Sequence, residues 1–386
     1  MKNTYLFILV CILLTACEAD KRFTLTGYID GLQQGDTLFL TTISLPEWKD
    51  VEVDTIFANQ PGKFAYNREL EHTTFFLLSH APKDAPRIES CISGAPILAK
   101  LGDRITLKGT VQAIGALDKT GGFYNDPIVA RLDSMENVYS RELIDIFNNY
   151  MKASLAQQPD SMQKYEQAYN TSQRPKELNA IKDYVSDEVN DNEYAAYLYL
   201  SKLYDISVSQ LEERYGRFDV ATQQSYIGQK LYAMLKVLKN VEPGNTPSNF
   251  SVIDRDGGEI HLADYRGKYL LIYHWGLCPG TVWVQPRLLK LYEEFHDKGF
   301  EVLGFTMNDF FTVYADMKGS PEIDPLFNQP WTTVLTNTPG NEFIIHDYYF
   351  SGVPILMLIS PDGTTLVRGF SETYDQVRKT LEENLL

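Results

Sequence analysis

Hydrophobic and polar residues alternate in short stretches along residues 23–107, and this period of two is typical of half-buried β-strands. The alternation is clearest from Phe23 to Ile29, and turns rich in Gly and Asp separate the stretches that follow. Strands of this length and spacing predict a β-sandwich over residues 23–123. The last two strands are expected to pair as a hairpin across Gly102. The predicted strands cover residues 23–29, 37–40, 62–66, 74–78, 96–99 and 104–107.

Residues 124–240 change to a helical period, in which Tyr, Leu and Met recur every three or four positions. His, Cys and carboxylate residues do not cluster there at the spacing of metal ligands. We therefore interpret this region as a helical packing layer, and we expect no metal and no cofactor. The predicted helices cover residues 128–152, 155–169, 175–190, 194–204, 209–215 and 223–239.

A Pro- and Gly-containing stretch at residues 241–249 predicts a linker. Beyond it, residues 250–386 alternate between strand and helix patterns and end in a hairpin and a helix. This order predicts an α/β domain with a mixed sheet. The whole chain is thus expected to be multidomain, with an all-β sandwich, a helical middle layer and a C-terminal α/β domain.

The N-terminus has the pattern of an export signal. Lys2 precedes a short apolar stretch, and small residues follow it. The segment Leu14-Thr15-Ala16-Cys17 resembles the lipobox of bacterial lipoproteins. That resemblance implies a signal peptide over residues 1–16, lipidation of Cys17 and a tether over residues 17–22. The protein is then expected in the cell envelope, anchored to a membrane (the outer one is favoured) and facing the periplasm. An ordinary signal peptide or a membrane anchor is the alternative.

The net charge of the chain argues against one class of partner, and its cysteine content argues against one class of fold. The formal net charge is −16, and loss of residues 1–16 removes only Lys2, which makes it −17. Such an acidic chain argues against nucleic acid, whose binding depends on cationic side chains. Once Cys11 leaves with the signal and Cys17 carries lipid, Cys91 and Cys278 remain, which is too few for a disulfide scaffold.

Cys278 is the main candidate for chemistry. It follows the apolar run of residues 269–273 and precedes a helical pattern that opens with Pro279, so it lies at a predicted helix N-terminus. Backbone N–H groups at such a position favour a thiolate. Thr281 stands where a C-x-x-C redox motif has its second cysteine. Its hydroxyl could hydrogen-bond the thiolate, but it cannot resolve a mixed disulfide.

The C-terminal part contains the motifs Asp256-Gly257-Gly258, Leu262 to Ile272, Cys278 with Pro286, Lys298 to Gly304, Gly352-Val353-Pro354 and Pro361-Asp362-Gly363. With these motifs, residues 250–386 resemble the TlpA/ResA-like branch of the thioredoxin fold, within the redoxin (AhpC/TSA) group. The N-terminal part opens with Phe23-x-Leu25-x-Gly27-x-Ile29 and contains Gly62-Lys63-Phe64 and Gly102-Asp103-x-Ile105-x-Leu107. It resembles a β domain of unknown function found in envelope lipoproteins of the Bacteroidota.

The resemblance of residues 250–386 implies a cis peptide before Pro354 and a peptide-binding role for Val353, Pro354 and Trp275, with Cys278 and Thr281 as the catalytic pair. It also implies envelope proteins or peptides carrying thiols or disulfides as partners. The chain departs from the family where Val284 replaces a glutamate that often accepts a proton, and where His274 and Leu277 replace tryptophans.

Three functions remain open from the sequence. The first is monothiol exchange or thiol sensing at Cys278. The second is a redox-inactive module that keeps the peptide groove. The third is a one-cysteine peroxidase, suggested by Cys278-Pro279 but disfavoured because Trp275 stands where that chemistry needs a threonine. His274 could act as a base for Cys278, although packing at the strand end is the favoured interpretation.

Overall fold

The computed structural model describes residues 21–46, 49–81, 94–203, 206–321 and 323–386. Two compact units make up the chain, residues 1–188 and residues 189–386. The division falls within the predicted helical layer, so the first three helices group with the sandwich and the later ones with the C-terminal domain. No helix within the described ranges combines the length and apolar character needed to cross a membrane.

The described part of the first unit forms two four-stranded sheets. Its strands are β1 Arg22–Asp30, β2 Thr37–Ser44, β3 Lys49–Phe57, β4 Lys63–Glu69, β5 Thr74–Ala81, β6 Ala95–Ala99, β7 Arg104–Thr110 and β8 Asp118–Thr120. One sheet has the order β4-β1-β7-β8 and the other β3-β2-β5-β6. Phe23 of the first sheet stacks on Phe76 of the second, with ring centroids 5.4 Å apart. Both rings are fully buried, so the core lies between the sheets as the predicted sandwich requires.

The predicted hairpin across Gly102 is wrong. β6 pairs with β5, whereas β7 pairs in parallel with β1 in the other sheet. The chain therefore crosses from one sheet to the other at this turn, where the Asp103 carboxylate accepts a hydrogen bond from the Lys100 amide at 2.9 Å. The crossing lets β6 and β7 each bury an apolar face against the opposite sheet.

Helices α1 Pro127–Leu155, α2 Pro159–Thr171 and α3 Lys176–Glu188 complete the first unit. α1 is tied to β8 by a buried ion pair, in which Lys119 Nζ lies 2.7 Å from Asp133 Oδ1. Asn137 donates to the same carboxylate and to the Leu117 carbonyl. Burial raises the pKa of Asp133 in spite of the neighbouring ammonium group.

The second unit begins with helices α4 Glu193–Leu200, α5 Val208–Arg217, α6 Val220–Gln224 and α7 Tyr226–Val241. The segment predicted as a linker is bonded to the C-terminal sheet. Thr365 accepts a hydrogen bond from the Gly244 amide at 2.8 Å and donates its own amide to Asn245 at 2.8 Å. Val241, the last residue of α7, is buried in the core of the C-terminal domain.

The C-terminal domain is built on a five-stranded mixed sheet and a separate two-stranded hairpin. The hairpin strands are β9 Ser251–Ile253 and β10 Glu259–His261, and the sheet strands are β11 Tyr269–His274, β12 Phe300–Thr306, β13 Thr332–Leu335, β14 Ile355–Ile359 and β15 Thr365–Gly369. The order in the sheet is β13-β12-β11-β14-β15, with β11 parallel to β12 and antiparallel to β14. The helices of this domain are α8 Pro279–Phe295, α9 Asn308–Met317, α10 Asp324–Phe327, α11 Phe343–Asp347 and α12 Tyr374–Leu385.

Alternate residues of β11 enter two different cores. Tyr273 faces the core that contains α8 and α12, and Ile272 faces the core that contains Phe250 and Tyr348. β11 is therefore covered on both faces, as expected of a central strand in an α/β sheet. This central strand leads directly into the loop that carries Cys278.

Candidate active site

Cys278 is the N-cap residue of α8. Its Sγ accepts a hydrogen bond from the Thr281 amide at 3.4 Å and lies 3.4 Å from Thr281 Oγ1. Pro279 occupies the first turn of α8, where its missing N–H costs nothing. Among the described residues Cys278 is the free cysteine, and it is half-buried rather than enclosed. Cys278 is thus partly exposed, and its sulfur is held by the Thr281 amide and lies beside the Thr281 hydroxyl.

The loop before β14 faces this sulfur. The Val353–Pro354 peptide bond is cis, as predicted from the sequence. The Cys278 thiol donates to the Val353 carbonyl at 3.4 Å. A Cβ atom on Gly280 would lie 2.9 Å from Pro354 Cδ, so a side chain there would push the loop away. The structure therefore brings together four of the predicted site residues, namely Cys278, Thr281, Val353 and Pro354.

Trp275 does not contribute a side chain to this surface, which corrects the prediction that it binds substrate. It is 1% exposed. Its ring packs edge-on against Phe311 and Phe327, with centroids 6.2 and 5.4 Å away. The reason is the strand period, because Trp275 continues the face of Tyr273 into the helix-covered core.

His274 lies on the opposite face and holds the loop before Pro354. Its Nδ1 lies 3.0 Å from the Gly352 carbonyl oxygen, and its ring stacks on Phe350 at 4.5 Å. Burial lowers the pKa of His274 to about 4. The imidazole is therefore neutral near pH 7 and donates from Nδ1 to Gly352. This contact fits the favoured interpretation of His274 as a packed residue at the strand end.

Tyr273 is a buried residue that the sequence analysis does not single out. Its side chain is fully buried beneath the first turn of α8, and its hydroxyl has no hydrogen-bond partner among the described residues. Burial raises the pKa of Tyr273 well above its ordinary value, and the Thr281 hydroxyl and Cys278 are the other groups that act on it. The phenol therefore stays protonated within this core.

The rim of the site is apolar. Val282 and Trp283 in the first turns of α8 are 37% and 44% exposed. The guanidinium of Arg287 lies over the Trp283 ring at 4.0 Å. Val284, at the position of the family's glutamate, is fully buried, so the site has no carboxylate there. Within the described ranges, His, Cys, Asp and Glu side chains form no group of three that could hold a metal ion.

Comparison with known proteins agrees with this geometry. Residues 243–321 match the AhpC/TSA family. The thiol-disulfide oxidoreductase ResA of Bacillus thuringiensis is 27% identical over 156 residues, which cover 38% of this chain and 79% of that protein. A probable phospholipid hydroperoxide glutathione peroxidase of Mesembryanthemum crystallinum is 43% identical over 63 residues. That match covers 16% of this chain and only 37% of the plant protein.

Among solved structures, the thioredoxin domain of a thiol-disulfide oxidoreductase from Bacteroides vulgatus is 25% identical, with a TM-score of 0.31. It aligns over 38% of this chain and 99% of its own length. A thiol:disulfide interchange protein from a Bacteroides species is also 25% identical, with a TM-score of 0.32. The predicted similarity to the AhpC/TSA group and to ResA is confirmed, and the five-stranded mixed sheet has the predicted α/β architecture.

Proposed function

We propose that this protein carries out thiol–disulfide exchange through a single cysteine, Cys278. The observation that carries the proposal is the placement of its Sγ. Cys278 is partly exposed at the N-terminus of α8, and its sulfur accepts the Thr281 amide and lies 3.4 Å from the Val353 carbonyl. Helix N-termini favour thiolates, and backbone groups of the cis-proline loop can align an extended peptide. The similarity to ResA supports the same chemistry.

The proposed reaction has two steps. The Cys278 thiolate attacks one sulfur of a substrate disulfide, so that a new S–S bond forms and the other substrate sulfur leaves as a thiolate. Thr281 cannot attack this mixed disulfide. A second thiol, from the substrate or from a small thiol in the medium, attacks it instead and releases Cys278. In this second step a new S–S bond forms between the attacking thiol and the substrate half, while the bond to Cys278 breaks and Cys278 leaves as a thiolate. The protein therefore transfers or rearranges disulfides without forming one internally.

The proposed location is the cell envelope, with Cys17 as the lipid anchor. Cys17 lies outside the described residues, and the support comes from the lipobox-like sequence at Leu14 to Cys17. Cys17→Ser should release the protein from membranes or leave an uncleaved precursor. The anchor would be contradicted if the Cys17→Ser protein still required detergent to leave the membrane fraction and had the same processed mass as the natural protein.

A one-cysteine peroxidase is the second candidate, because the plant relative is named a peroxidase and is 43% identical over the matched stretch. Trp275, three residues before Cys278, is a buried indole and offers no hydroxyl to a peroxide. A redox-inactive peptide-binding module is the third, favoured by the exposed apolar rim at Val282 and Trp283. The three candidate functions predict different chemical states of Cys278 after exposure to a disulfide or a peroxide.

The test exposes the reduced protein to a model peptide disulfide and, separately, to hydrogen peroxide. Peptide mass analysis then reports the state of Cys278, with Cys278→Ser as the control. We expect one peptide half attached through Cys278 and released only when an external thiol is added. Rapid formation of sulfenic acid without a peptide adduct would favour the peroxidase. No adduct at all, with the peptide still bound, would overturn exchange in favour of the binding module.

A further inference from the structure

The chain reverses direction at Tyr349, between helix α11 and the loop that faces Cys278. Tyr349 has a φ of 45°, in the left-handed region that glycine usually occupies at the end of a helix. Its amide donates to the His346 carbonyl at 3.0 Å, and the next amide, that of Phe350, donates to the Ile345 carbonyl at 2.9 Å. A bulky side chain is strained in this conformation, so further contacts are needed to hold the turn.

Arg368 of β15 makes such contacts. Its Nη2 donates to the Tyr349 carbonyl at 2.7 Å and lies 3.3 Å from the Tyr348 carbonyl oxygen. The guanidinium carbon lies over the Tyr349 ring, 5.8 Å from its centre. Burial lowers the pKa of Arg368 to about 10, so the group is still a cation near pH 7, and its Nε has no hydrogen-bond partner within the described residues. An apolar side chain would fill this space at a lower desolvation cost, so the contact with the turn is what distinguishes the arginine.

Arg368 and His274 hold the two ends of one segment. Arg368 and Ile272 both pair with the same residue of β14, so their side chains lie on one face of the sheet. His274 shares this face, because it lies two residues beyond Ile272 on β11. From this face His274 contacts the Gly352 carbonyl and Arg368 contacts the Tyr349 carbonyl. The segment that leads to the thiol site is therefore fixed at both ends.

We propose that Arg368 is a positioning residue for the substrate: by holding Tyr349 in its left-handed conformation, it sets where the Val353 backbone meets a peptide. The inference rests on the proposed exchange function and deepens it, because it makes an extended peptide disulfide the substrate class. Val353 lies four residues beyond Tyr349, and its carbonyl oxygen lies 3.4 Å from Cys278 Sγ. A small disulfide needs only the sulfur, whereas an extended peptide also uses the backbone of this loop. Loss of the guanidinium should therefore affect the two kinds of substrate differently.

The test compares the rates at which the reduced full chain attacks a model peptide disulfide and 2-hydroxyethyl disulfide, read on the peptide that contains Cys278. Arg368→Met keeps an unbranched apolar stem but removes the guanidinium. We expect its rate with the peptide disulfide to fall about ten-fold, the effect of losing one hydrogen bond to a charged group. Its rate with the small disulfide should stay within about two-fold of the natural rate, because that substrate does not use the loop. Arg378→Met is the matched control, since this partly exposed arginine of α12 pairs with Glu294 of α8, and both of its rates should be natural.

A second substitution tests the route through the turn. Glycine adopts the left-handed conformation without steric cost, so Tyr349→Gly in the Arg368→Met background should restore most of the lost rate with the peptide disulfide. Tyr349→Ala in that background also loses the ring but keeps a Cβ atom, and it should restore less. Recovery by neither substitution, or by both equally, would overturn the route through the left-handed turn.

The remaining outcomes separate this inference from the proposed function. Arg368→Lys keeps a cation that can donate to one carbonyl, so it should lose less than Arg368→Met. Equal losses with both disulfides, or no loss with either, would overturn the inference. A natural chain that attacks only the small disulfide would also overturn it while leaving the exchange chemistry in place. A natural chain that attacks neither would contradict the proposed function, and an affinity for the reduced peptide that Arg368→Met leaves unchanged would then overturn the inference as well.

Discussion

Thr281 occupies the position at which a dithiol motif has its second cysteine, and its Oγ1 lies 3.4 Å from Cys278 Sγ. A cysteine there would need only a small side-chain shift to reach the S–S bond length of about 2.05 Å. Thr281→Cys should therefore form an intramolecular disulfide under oxidising conditions and gain disulfide reductase activity. The gain should be modest, since Val284 provides no carboxylate to take up the proton.

The measurement is turnover of a model disulfide by the natural chain, by Thr281→Cys and by Thr281→Cys with Cys278→Ser. Activity should be negligible in the first, clear in the second and absent in the third. If oxidised Thr281→Cys keeps two free thiols at these positions, the loop does not have the geometry of a dithiol site.

His274 gives the C-terminal domain a dependence on pH. Burial lowers its pKa from 6.5 to about 4, so the unfolded chain binds the extra proton first as pH falls. The free energy of unfolding that the neutral imidazole contributes is fully present above about pH 6.5. It decreases by about 3 kcal/mol in all as the pH falls from about 6.5 to about 4.

Denaturant unfolding at several pH values measures this effect. His274→Asn keeps an amide donor where Nδ1 donates to Gly352 and removes the titration. The variant should be less stable at pH 7, because it packs less well on Phe350, but its stability should depend less on pH in this window. An equally steep pH dependence in both proteins would show that His274 is not its source.

Among the elements, the short hairpin of β9 and β10 depends on one buried amide. Asn341 donates to the Ile253 and Leu335 carbonyls at 2.8 and 3.0 Å and accepts from the Ile253 amide at 2.9 Å. Asn341→Ala removes these bonds and leaves buried backbone groups unpaired, so it should cost about 2–4 kcal/mol of stability. The exposed Asn384→Ala is the control, with an expected loss below about 0.5 kcal/mol. A loss for Asn341→Ala as small as that of the control would contradict this role.

The sequence predicts most of the elements that bury a hydrophobic face. β3 is not among the predicted strands although Val51 and Val53 alternate with carboxylates, because most of its residues are exposed and its pairing with β2 makes it a strand. The pairing of β6 and β7 was wrong for a related reason. Periodicity identifies the buried face of a strand, but not the sheet in which it finds a partner.

The same limit applies to the site. Cys278 at a helix N-terminus follows from a local pattern, the cis peptide before Pro354 is implied by the family resemblance, and both are found in the structure. The depth of Trp275 and the unpaired hydroxyl of Tyr273 depend on what packs over β11. A sequence pattern shows that these two residues share a face, but it does not show that α8 buries that face.

On the scale of the whole molecule, we predict that residues 243–386 fold without the helices before them. Both cores of the C-terminal domain are formed almost entirely within this range. The exception is Val241, which is buried in one of them. A 243–386 fragment should therefore unfold cooperatively but at a lower Tm than a 189–386 fragment. A molten, protease-labile 243–386 fragment would show that α4 to α7 are required to complete the fold.

The central claim is that the fold makes Cys278 a reactive thiol. The most direct measurement is the rate of alkylation at Cys278 near pH 7 in the native protein and in the same protein unfolded in urea, with Cys91 read separately by peptide mass. We predict that Cys278 reacts faster when folded, because it is partly exposed and its sulfur accepts the Thr281 amide at the N-terminus of α8. A folded protein in which Cys278 reacts at the unfolded rate or more slowly would contradict the account.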